Sequence, residues 1–111
     1  MVSPRIDHLG LSARDPQATA AFYRDVLGMT PVDGEGPGIH LRFGEALLVI
    51  ADRGPDEAAP VRAHGDHLAL RVTGTADGVH AALTAAGIPC QRVRNRVYLR
   101  DPDGFVVELV E

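Results

Sequence analysis

The chain contains no lysine and a single cysteine, and each shortage excludes a kind of chemistry. All 11 basic residues are arginines, which rules out Schiff-base catalysis by lysine and the lysine-dependent Walker phosphate loop. Cys90 cannot form an internal disulfide, so a reducing cytoplasm is the expected compartment. The formal net charge is −4 and there is no basic block, so nucleic acid is not an expected partner.

Long apolar runs are also missing. No stretch approaches the roughly 20 residues that a membrane-spanning helix needs, so no membrane partner is expected. Pro4, Arg5 and Asp7 interrupt the N-terminal segment before a leader sequence could develop. The 111 residues, of which 45% are hydrophobic, fit one globular domain. The remaining candidates for a ligand are small apolar or mildly anionic molecules.

A repeat is the most informative feature that the chain does contain. Asp-His-Leu-x-Leu occurs at residues 7–11 and again at residues 66–70, an offset of 59 positions. The same offset relates Gly28 to Gly87, and each glycine follows a predicted helix. These matches predict two related modules, residues 1–53 and 66–111, joined by a proline-containing linker over residues 54–65.

Each module is expected to fold as βαβββ. Alternating apolar residues predict strands over residues 6–13, 30–33, 38–43 and 46–51, and then over 66–73, 90–94, 97–100 and 105–110. Helices are expected from the Asp15-Pro16 cap to Leu27 and over residues 76–86. The predicted class is α+β, a cupped, mixed and mostly antiparallel sheet with helices on one face. The predicted buried stripes of the helices are Ala18, Phe22 and Val26, and then Val79, Ala82, Leu83 and Ala86. Tyr23 and Leu27 are also expected in the core under the sheet.

Strand parity places His8, His67 and Glu108 on the face that the helices leave uncovered. Two imidazoles and a carboxylate form a facial triad, which favours Fe(II) or Mn(II), with zinc, nickel and cobalt as further options. The offset pairs Glu108 with Val49, which cannot ligate, so the predicted metal site is open and catalytic in type. The alternative is a pair of hydrogen-bonded core histidines and a carboxylate at the rim.

Four segments together resemble the vicinal oxygen chelate superfamily, which includes glyoxalase I, bleomycin-resistance proteins and extradiol dioxygenases. They are residues 6–11 (IDHLGL), 22–28 (FYRDVLG), 66–70 (DHLAL) and 98–104 (YLRDPDG), the last followed by Glu108. The resemblance covers nearly the whole chain and implies a single domain of paired βαβββ modules. It also implies a small-molecule substrate bound through two neighbouring oxygens, and a homodimer. Its metal ligands would match this chain at His8, His67 and Glu108.

Departures from the family pattern narrow the expected reaction. Val49 stands where glyoxalase I has a carboxylate, so proton abstraction by a metal-bound carboxylate is disfavoured. Tyr98 precedes Glu108 by ten residues, the spacing at which extradiol dioxygenases carry a substrate-binding tyrosine, and is therefore the candidate catalytic residue. A metal-dependent, dioxygenase-type enzyme is favoured. The alternatives are a glyoxalase-like lyase or isomerase and a metal-free protein that binds a small molecule such as an antibiotic.

The remaining polar residues receive weaker expectations. His40 corresponds by the offset to Leu99 and is expected to face away from the cup, whereas His64 lies in the predicted linker, near the pocket mouth. Parity places Arg96 and Arg100 on the side of Tyr98, without an assigned role. By the same offset, the partners of Tyr98 and Glu108 are aliphatic, so module one is expected to supply an apolar wall from Ile39 and Val49.

Overall fold

The computed structural model describes residues 3, 5–54 and 67–111 of the chain. The chain divides into two compact units, unit 1 over residues 1–59 and unit 2 over residues 60–111, and each is described by itself. Among the described residues, each unit has one helix and one four-stranded mixed sheet, which confirms the predicted α+β class and the doubled βαβββ order. The predicted linker, residues 54–65, lies outside the described residues apart from Gly54.

Unit 1 is built on a sheet with the strand order β1-β4-β3-β2. Its elements are β1 (His8–Ala13), α1 (Pro16–Asp25), β2 (Thr30–Val32), β3 (Ile39–Phe43) and β4 (Ala46–Asp52). Strands β1 and β4 pair in parallel, and the other two pairings are antiparallel. The helix covers one face, where Leu41, Leu48 and Ile50 are almost fully buried. The opposite face, which α1 does not cover, is called the free face of the first sheet.

Helix α1 begins as the sequence predicts, but Ala18 of its predicted stripe is not buried. The Asp15 carboxylate accepts a hydrogen bond from the Ala18 amide, and Pro16 occupies the first turn. The buried residues are Thr19, Ala20 and Tyr23, whereas Ala18 is exposed. The predicted stripe is therefore wrong at Ala18, because Tyr23 brings far more apolar surface to the core than alanine can.

Unit 2 repeats the same plan with the strand order β5-β8-β7-β6. Its elements are β5 (His67–Arg71), α2 (Ala76–Ala85), β6 (Cys90–Val93), β7 (Arg96–Arg100) and β8 (Val106–Val110). Strands β5 and β8 are parallel, and β6–β7 and β7–β8 are antiparallel. Val97, Leu99, Val107 and Leu109 are buried between sheet and helix. The other side of this sheet is called the free face of the second sheet.

Helix α2 is held at its N-terminus by two side chains. The Thr75 hydroxyl accepts from the Gly78 amide, and the Glu111 carboxylate accepts from the Ala76 amide at 2.8 Å. A carboxylate at this position satisfies an orphan N–H group and also complements the positive end of the helix dipole. Along the predicted stripe, Val79 and Leu83 are half-buried while Ala82 and Ala86 are exposed, so the apolar contact of α2 is narrower than expected.

The hairpins that precede β4 and β8 differ by one residue. In unit 1, Phe43 pairs with Ala46 across the two-residue turn Gly44-Glu45. In unit 2, the Asp101 amide donates to the Phe105 carbonyl across the three-residue turn 102–104. The Asp101 carboxylate also accepts from the amides of Asp103 and Phe105, and Gly104 has a φ of 85°. This is the expected geometry of a three-residue loop that ends in a left-handed glycine.

Neither described helix has the length and apolar character that crossing a membrane would require, a finding limited to residues 3, 5–54 and 67–111. Both helices contain ten residues, about half the length of a membrane span.

Candidate functional site

Glu108 lies at the centre of the free face of the second sheet. In the strand register, Tyr98 is directly opposite it on β7 and Ala69 is directly opposite it on β5. Side chains that are opposite in register share a face, so Tyr98 and Glu108 point the same way. The methyl group of Ala69 leaves space beside the carboxylate. Parity therefore placed these residues correctly.

Three side chains of unit 2 converge on the Glu108 carboxylate. Tyr98 donates its hydroxyl to Oε1 at 3.2 Å, and Nη1 of Arg96 lies 2.9 Å from the same oxygen. Nε2 of His67 lies 3.1 Å from Oε2. Glu108 is only 7% exposed, so its charge needs such partners. The structure thus brings together His67, Tyr98 and Glu108, three of the predicted site residues.

The phenol of Tyr98 is held in its neutral form. Partial burial raises the pKa of Tyr98 above the usual 10.0, and the neighbouring Glu108 charge and the hydrogen bond to it raise the pKa further. Arg96 acts in the opposite direction and is the smallest of these influences. Since the hydroxyl proton is donated to Glu108, the lone pairs of the phenol oxygen face away from the carboxylate and are suited to accept a proton donor.

His67 and Glu108 fit a shared divalent ion in both type and spacing. Imidazole nitrogen and carboxylate oxygen bind such ions at about 2.1 Å, which places two neighbouring octahedral ligands about 3 Å apart. The observed separation of Nε2 from Oε2 is 3.1 Å. His67 is 45% exposed, so its ring can be approached from solvent. The two donors could thus hold an ion after a small rearrangement.

The third predicted ligand, His8, belongs to unit 1. Its Nδ1 lies 2.8 Å from Oδ2 of Asp7, and its side chain is 54% exposed. Metal-binding histidines commonly donate one ring N–H to a carboxylate in this way, which leaves Nε2 as the donor for a metal. This contact between His8 and Asp7 was not predicted from the sequence. Asp66, its repeat partner, lies outside the described residues.

Within the part of the chain that the structure describes, no group of three or more His, Cys, Asp or Glu side chains is close enough to hold a metal ion. His67 and Glu108 supply two such groups within unit 2. The triad of His8, His67 and Glu108 therefore stays a prediction.

His40 does not face away from the free face of the first sheet, and the prediction for it is wrong. In the strand register it lies opposite Val49, which is opposite Gly10 on β1, so it shares a face with both. The error arises because the turn between β3 and β4 is one residue shorter than the turn between β7 and β8. The offset between equivalent residues of the two units is therefore 58 for β3 and β7, and 59 for β4 and β8. His40 thus corresponds to Tyr98, and the free face in unit 1 is not a purely apolar wall.

His40 is only 8% exposed because the loop before β3 covers it. A side-chain carbon built at Gly34 would lie 2.1 Å from the Cδ2 atom of His40, so the backbone of Gly34 lies against the imidazole ring. Val49 holds the register position of Glu108, as the repeat predicted. His64 lies outside the described residues.

The contact between Arg96 and Glu108 was not predicted. Arg96 begins β7 and lies two residues before Tyr98, so the two side chains share the free face of the second sheet. The alternation of Arg96, Tyr98 and Arg100 indicated the shared face, but no sequence signal indicated which carboxylate Arg96 would reach. Arg100 donates instead to the carbonyl of Gly104, within the hairpin.

Comparison with known proteins identifies the family of the chain. The family model of the Glyoxalase/Bleomycin resistance protein/Dioxygenase superfamily matches residues 5–109. A virulence protein of Salmonella typhimurium, STM3117, is 30% identical over an alignment that covers 98% of this chain and 85% of that protein.

Solved structures agree with this match. An integron cassette protein from the mobile metagenome of V. cholerae superposes with a TM-score of 0.79 at 25% identity, covering 98% of this chain and 95% of the other. Lactoylglutathione lyase from Agrobacterium tumefaciens superposes with a TM-score of 0.70 at 30% identity, covering 97% and 93%.

Proposed function

Because this chain belongs to the Glyoxalase/Bleomycin resistance protein/Dioxygenase superfamily, we propose that it is a metal-dependent enzyme that binds a small substrate through two neighbouring oxygens. His67 and Glu108 would hold a divalent ion, Fe(II) or Mn(II) in preference to zinc, nickel or cobalt. His8, with its Nδ1 engaged by Asp7, would be the third ligand.

One observation carries the proposal: the Glu108 carboxylate is buried on the free face of the second sheet with His67 at 3.1 Å. A buried carboxylate is costly to maintain for stability alone, because an apolar side chain of similar volume is often at least as stable there. Its retention beside an exposed imidazole at a ligand-like spacing favours a functional site.

Bound between these donors, a divalent ion would supply Lewis-acid polarisation of substrate oxygens and, if it is Fe(II), redox capacity. The side chains around it have separate tasks. Tyr98 keeps its hydroxyl on Glu108 at 3.2 Å, so its oxygen can accept a hydrogen bond from a substrate hydroxyl and orient it. Ala69, directly across from Glu108, leaves room for that substrate.

Dioxygenase-type chemistry is the reaction that we favour. Val49 occupies in β4 the place that Glu108 occupies in β8, so unit 1 offers no carboxylate there to act as a base. Similarity to lactoylglutathione lyase from Agrobacterium tumefaciens supports a lyase as the second candidate. Oxygen uptake separates the two, since a lyase consumes none.

A metal-free binding protein is the third candidate, and one observation favours it. Both oxygens of Glu108 have partners within unit 2, from Arg96, Tyr98 and His67, so the carboxylate is stabilised without an ion. Such a protein would bind its ligand equally well in the presence of a chelator. The resemblance to the family also leads us to propose a homodimer, which light scattering over a range of concentrations would test.

Metal binding is the direct test of the proposal. Protein purified without added metal, and then titrated anaerobically with Fe(II) or Mn(II), should bind about one ion per chain. Glu108→Ala, His67→Ala and His8→Ala should each weaken binding by more than the roughly 10- to 100-fold that loss of a supporting contact costs. Catechols should then induce oxygen uptake by the Fe(II)-loaded protein.

His80→Ala is the matched control, because His80 lies on α2, away from the free face. Its affinity for metal should equal that of the unmodified chain. Equal metal affinity in all four variants, or no metal bound by the unmodified chain, would contradict the proposal. Metal binding without oxygen uptake across a broad catechol panel would move the assignment to a lyase.

A further inference from the structure

Positive charge is concentrated on the free face of the second sheet. Among the described residues, the charged side chains on this face are Arg71, Arg96, Arg100 and Glu108, three cations and one anion. The chain as a whole has a formal net charge of −4. An excess of cations around a site on an acidic protein favours an anionic ligand, because charges that line one face raise the local concentration of the opposite charge.

The three arginines are not equivalent. Arg71 donates to the backbone oxygen of Glu111, and Arg100 donates to the carbonyl of Gly104, so both are engaged at the ends of their strands. Arg96 alone reaches Glu108, the centre of the proposed site. It is therefore the arginine whose charge a bound ligand would meet.

Arg96 retains donors for such a ligand. A guanidinium has five N–H groups, and the contact of Nη1 with Oε1 of Glu108 uses at most two of them. The side chain is 41% exposed. Anchored on Glu108, it presents a planar fork of the kind that matches a carboxylate or phosphonate in two places.

The charge balance of the site also favours an anionic ligand. Arg96 offsets the single negative charge of Glu108 while no ion is bound. A divalent ion held by Glu108 would add two positive charges, which a chelating ligand with one further oxyanion would compensate. A neutral chelator would leave part of that charge uncompensated in a half-buried site.

We propose that the site selects ligands that carry an oxyanion, such as a carboxylate, beside their two chelating oxygens, and that Arg96 binds this oxyanion. The chelating part of this inference rests on the proposed function, whereas the contact with Arg96 does not require the metal. Arg96 is thus a specificity-determining residue.

The test compares protocatechuate with its methyl ester, two catechols of similar size that differ in one negative charge. Calorimetric titration of the Mn(II)-loaded protein should show a preference for protocatechuate of roughly 10- to 100-fold, the range expected of a charged hydrogen bond. Arg96→Ala should reduce the ratio to about one, and Arg96→Lys should restore part of it. Arg92→Ala is the matched control, since Arg92 pairs with Asp77 on α2 and should leave the ratio unchanged.

Repeating the titrations with a chelator separates the two proposals. If the chain binds no metal but still prefers protocatechuate, and Arg96→Ala removes the preference, the oxyanion site stands and the metalloenzyme assignment fails. Equal affinity for the two probes in the unmodified chain, a preference that survives in folded Arg96→Ala, or no binding of either probe would overturn the inference. Circular dichroism establishes that each variant is folded.

Discussion

His40 lies opposite Val49 across β3 and β4 just as Tyr98 lies opposite Glu108 across β7 and β8. The two sheets therefore present different pairs at equivalent positions, an imidazole with an aliphatic side chain and a phenol with a carboxylate. Only the second pair forms a hydrogen bond between its members. Val49 has no charge for other side chains to pair with, whereas the Glu108 carboxylate is contacted by His67, Arg96 and Tyr98.

Adding a methyl group at Gly34 should destabilise unit 1. In Gly34→Ala the new Cβ atom would lie 2.1 Å from the Cδ2 atom of His40, so the ring or the loop must move. Overpacking of this kind costs about 1–3 kcal/mol, and the midpoint of chemical denaturation should fall accordingly. Gly10→Ala is the control, because a Cβ atom there would meet no atom of residues 3, 5–54 and 67–111 within 4 Å.

A double mutant tests whether the stability lost in Gly34→Ala comes from a clash with the imidazole ring of His40. Combining Gly34→Ala with His40→Ala removes the obstructing atoms, so the double variant should be more stable than the two separate losses predict. Strictly additive losses would show that the Gly34 backbone does not pack on His40.

Neutralising Glu108 should lower the pKa of Tyr98. The carboxylate raises the pKa of the phenol by its charge and by accepting its hydrogen bond, and Glu108→Gln removes the charge. The variant should therefore ionise Tyr98 at lower pH in an ultraviolet titration of metal-free protein. The titration of Tyr98→Phe gives the signal of Tyr23, the other tyrosine of the chain, which is subtracted to leave that of Tyr98.

The same shift has a consequence for stability. A raised pKa in the folded chain favours the neutral phenol, so its stabilising contribution is complete below about pH 10 and disappears as the pH rises through the folded pKa. In Glu108→Gln the folded pKa of Tyr98 lies closer to its unfolded value, so the alkaline loss of stability that Tyr98 causes should be smaller and should end at lower pH. An unchanged Tyr98 titration in that variant would contradict the contact with Glu108.

Asp101 should matter more for the second hairpin than any other residue of its turn. Its buried carboxylate accepts from the amides of Asp103 and Phe105, and Asp101→Ala would leave both amides without that acceptor. The expected loss is about 1–3 kcal/mol in the free energy of unfolding. Asp101→Asn retains an acceptor oxygen and should recover most of the loss; equal losses in the two variants would refute this account.

Replacing Arg94 by glycine should stabilise the chain. Arg94 has a φ of 55°, a left-handed conformation that L-residues adopt at a cost of roughly 1–2 kcal/mol. Glycine avoids this cost, but its larger conformational entropy in the unfolded state offsets part of the benefit. The free energy of unfolding of Arg94→Gly should therefore rise by about 0.5–1 kcal/mol. Asn95→Gly, at the adjacent position, should destabilise, because Asn95 is not among the residues with positive φ.

Much of this architecture follows from local rules that the sequence displays. The Asp15 cap, the glycines after both helices and the alternation in β5 each depend on neighbouring residues alone, and each is found as predicted. The face of Glu108 was predictable for the same reason, since strand parity needs only the position of the strand.

Other features depended on packing or on turn length. Ala18 of α1 is exposed although it falls on the apolar stripe, because the sheet decides which positions of a helix are covered. The face on which His40 lies depended on the turn before β4, which is one residue shorter than the turn before β8. A constant offset counted along the chain does not show in which turn an extra residue lies. The reach of Arg96 to Glu108 depends on a flexible side chain, whose choice among acceptors is made only in three dimensions.

The three-residue turn over residues 102–104 shows that a hairpin of this fold can change its length without changing which residues of its two strands are paired. The turn in unit 2 accommodates one residue more than its counterpart in unit 1, yet Tyr98 still meets Glu108 as His40 meets Val49. Loops of this kind can change length at little cost in closure entropy. The hairpin between β7 and β8 is therefore a natural place for inserting or exchanging a loop, where new contacts could be built around a ligand while the carboxylate keeps its position.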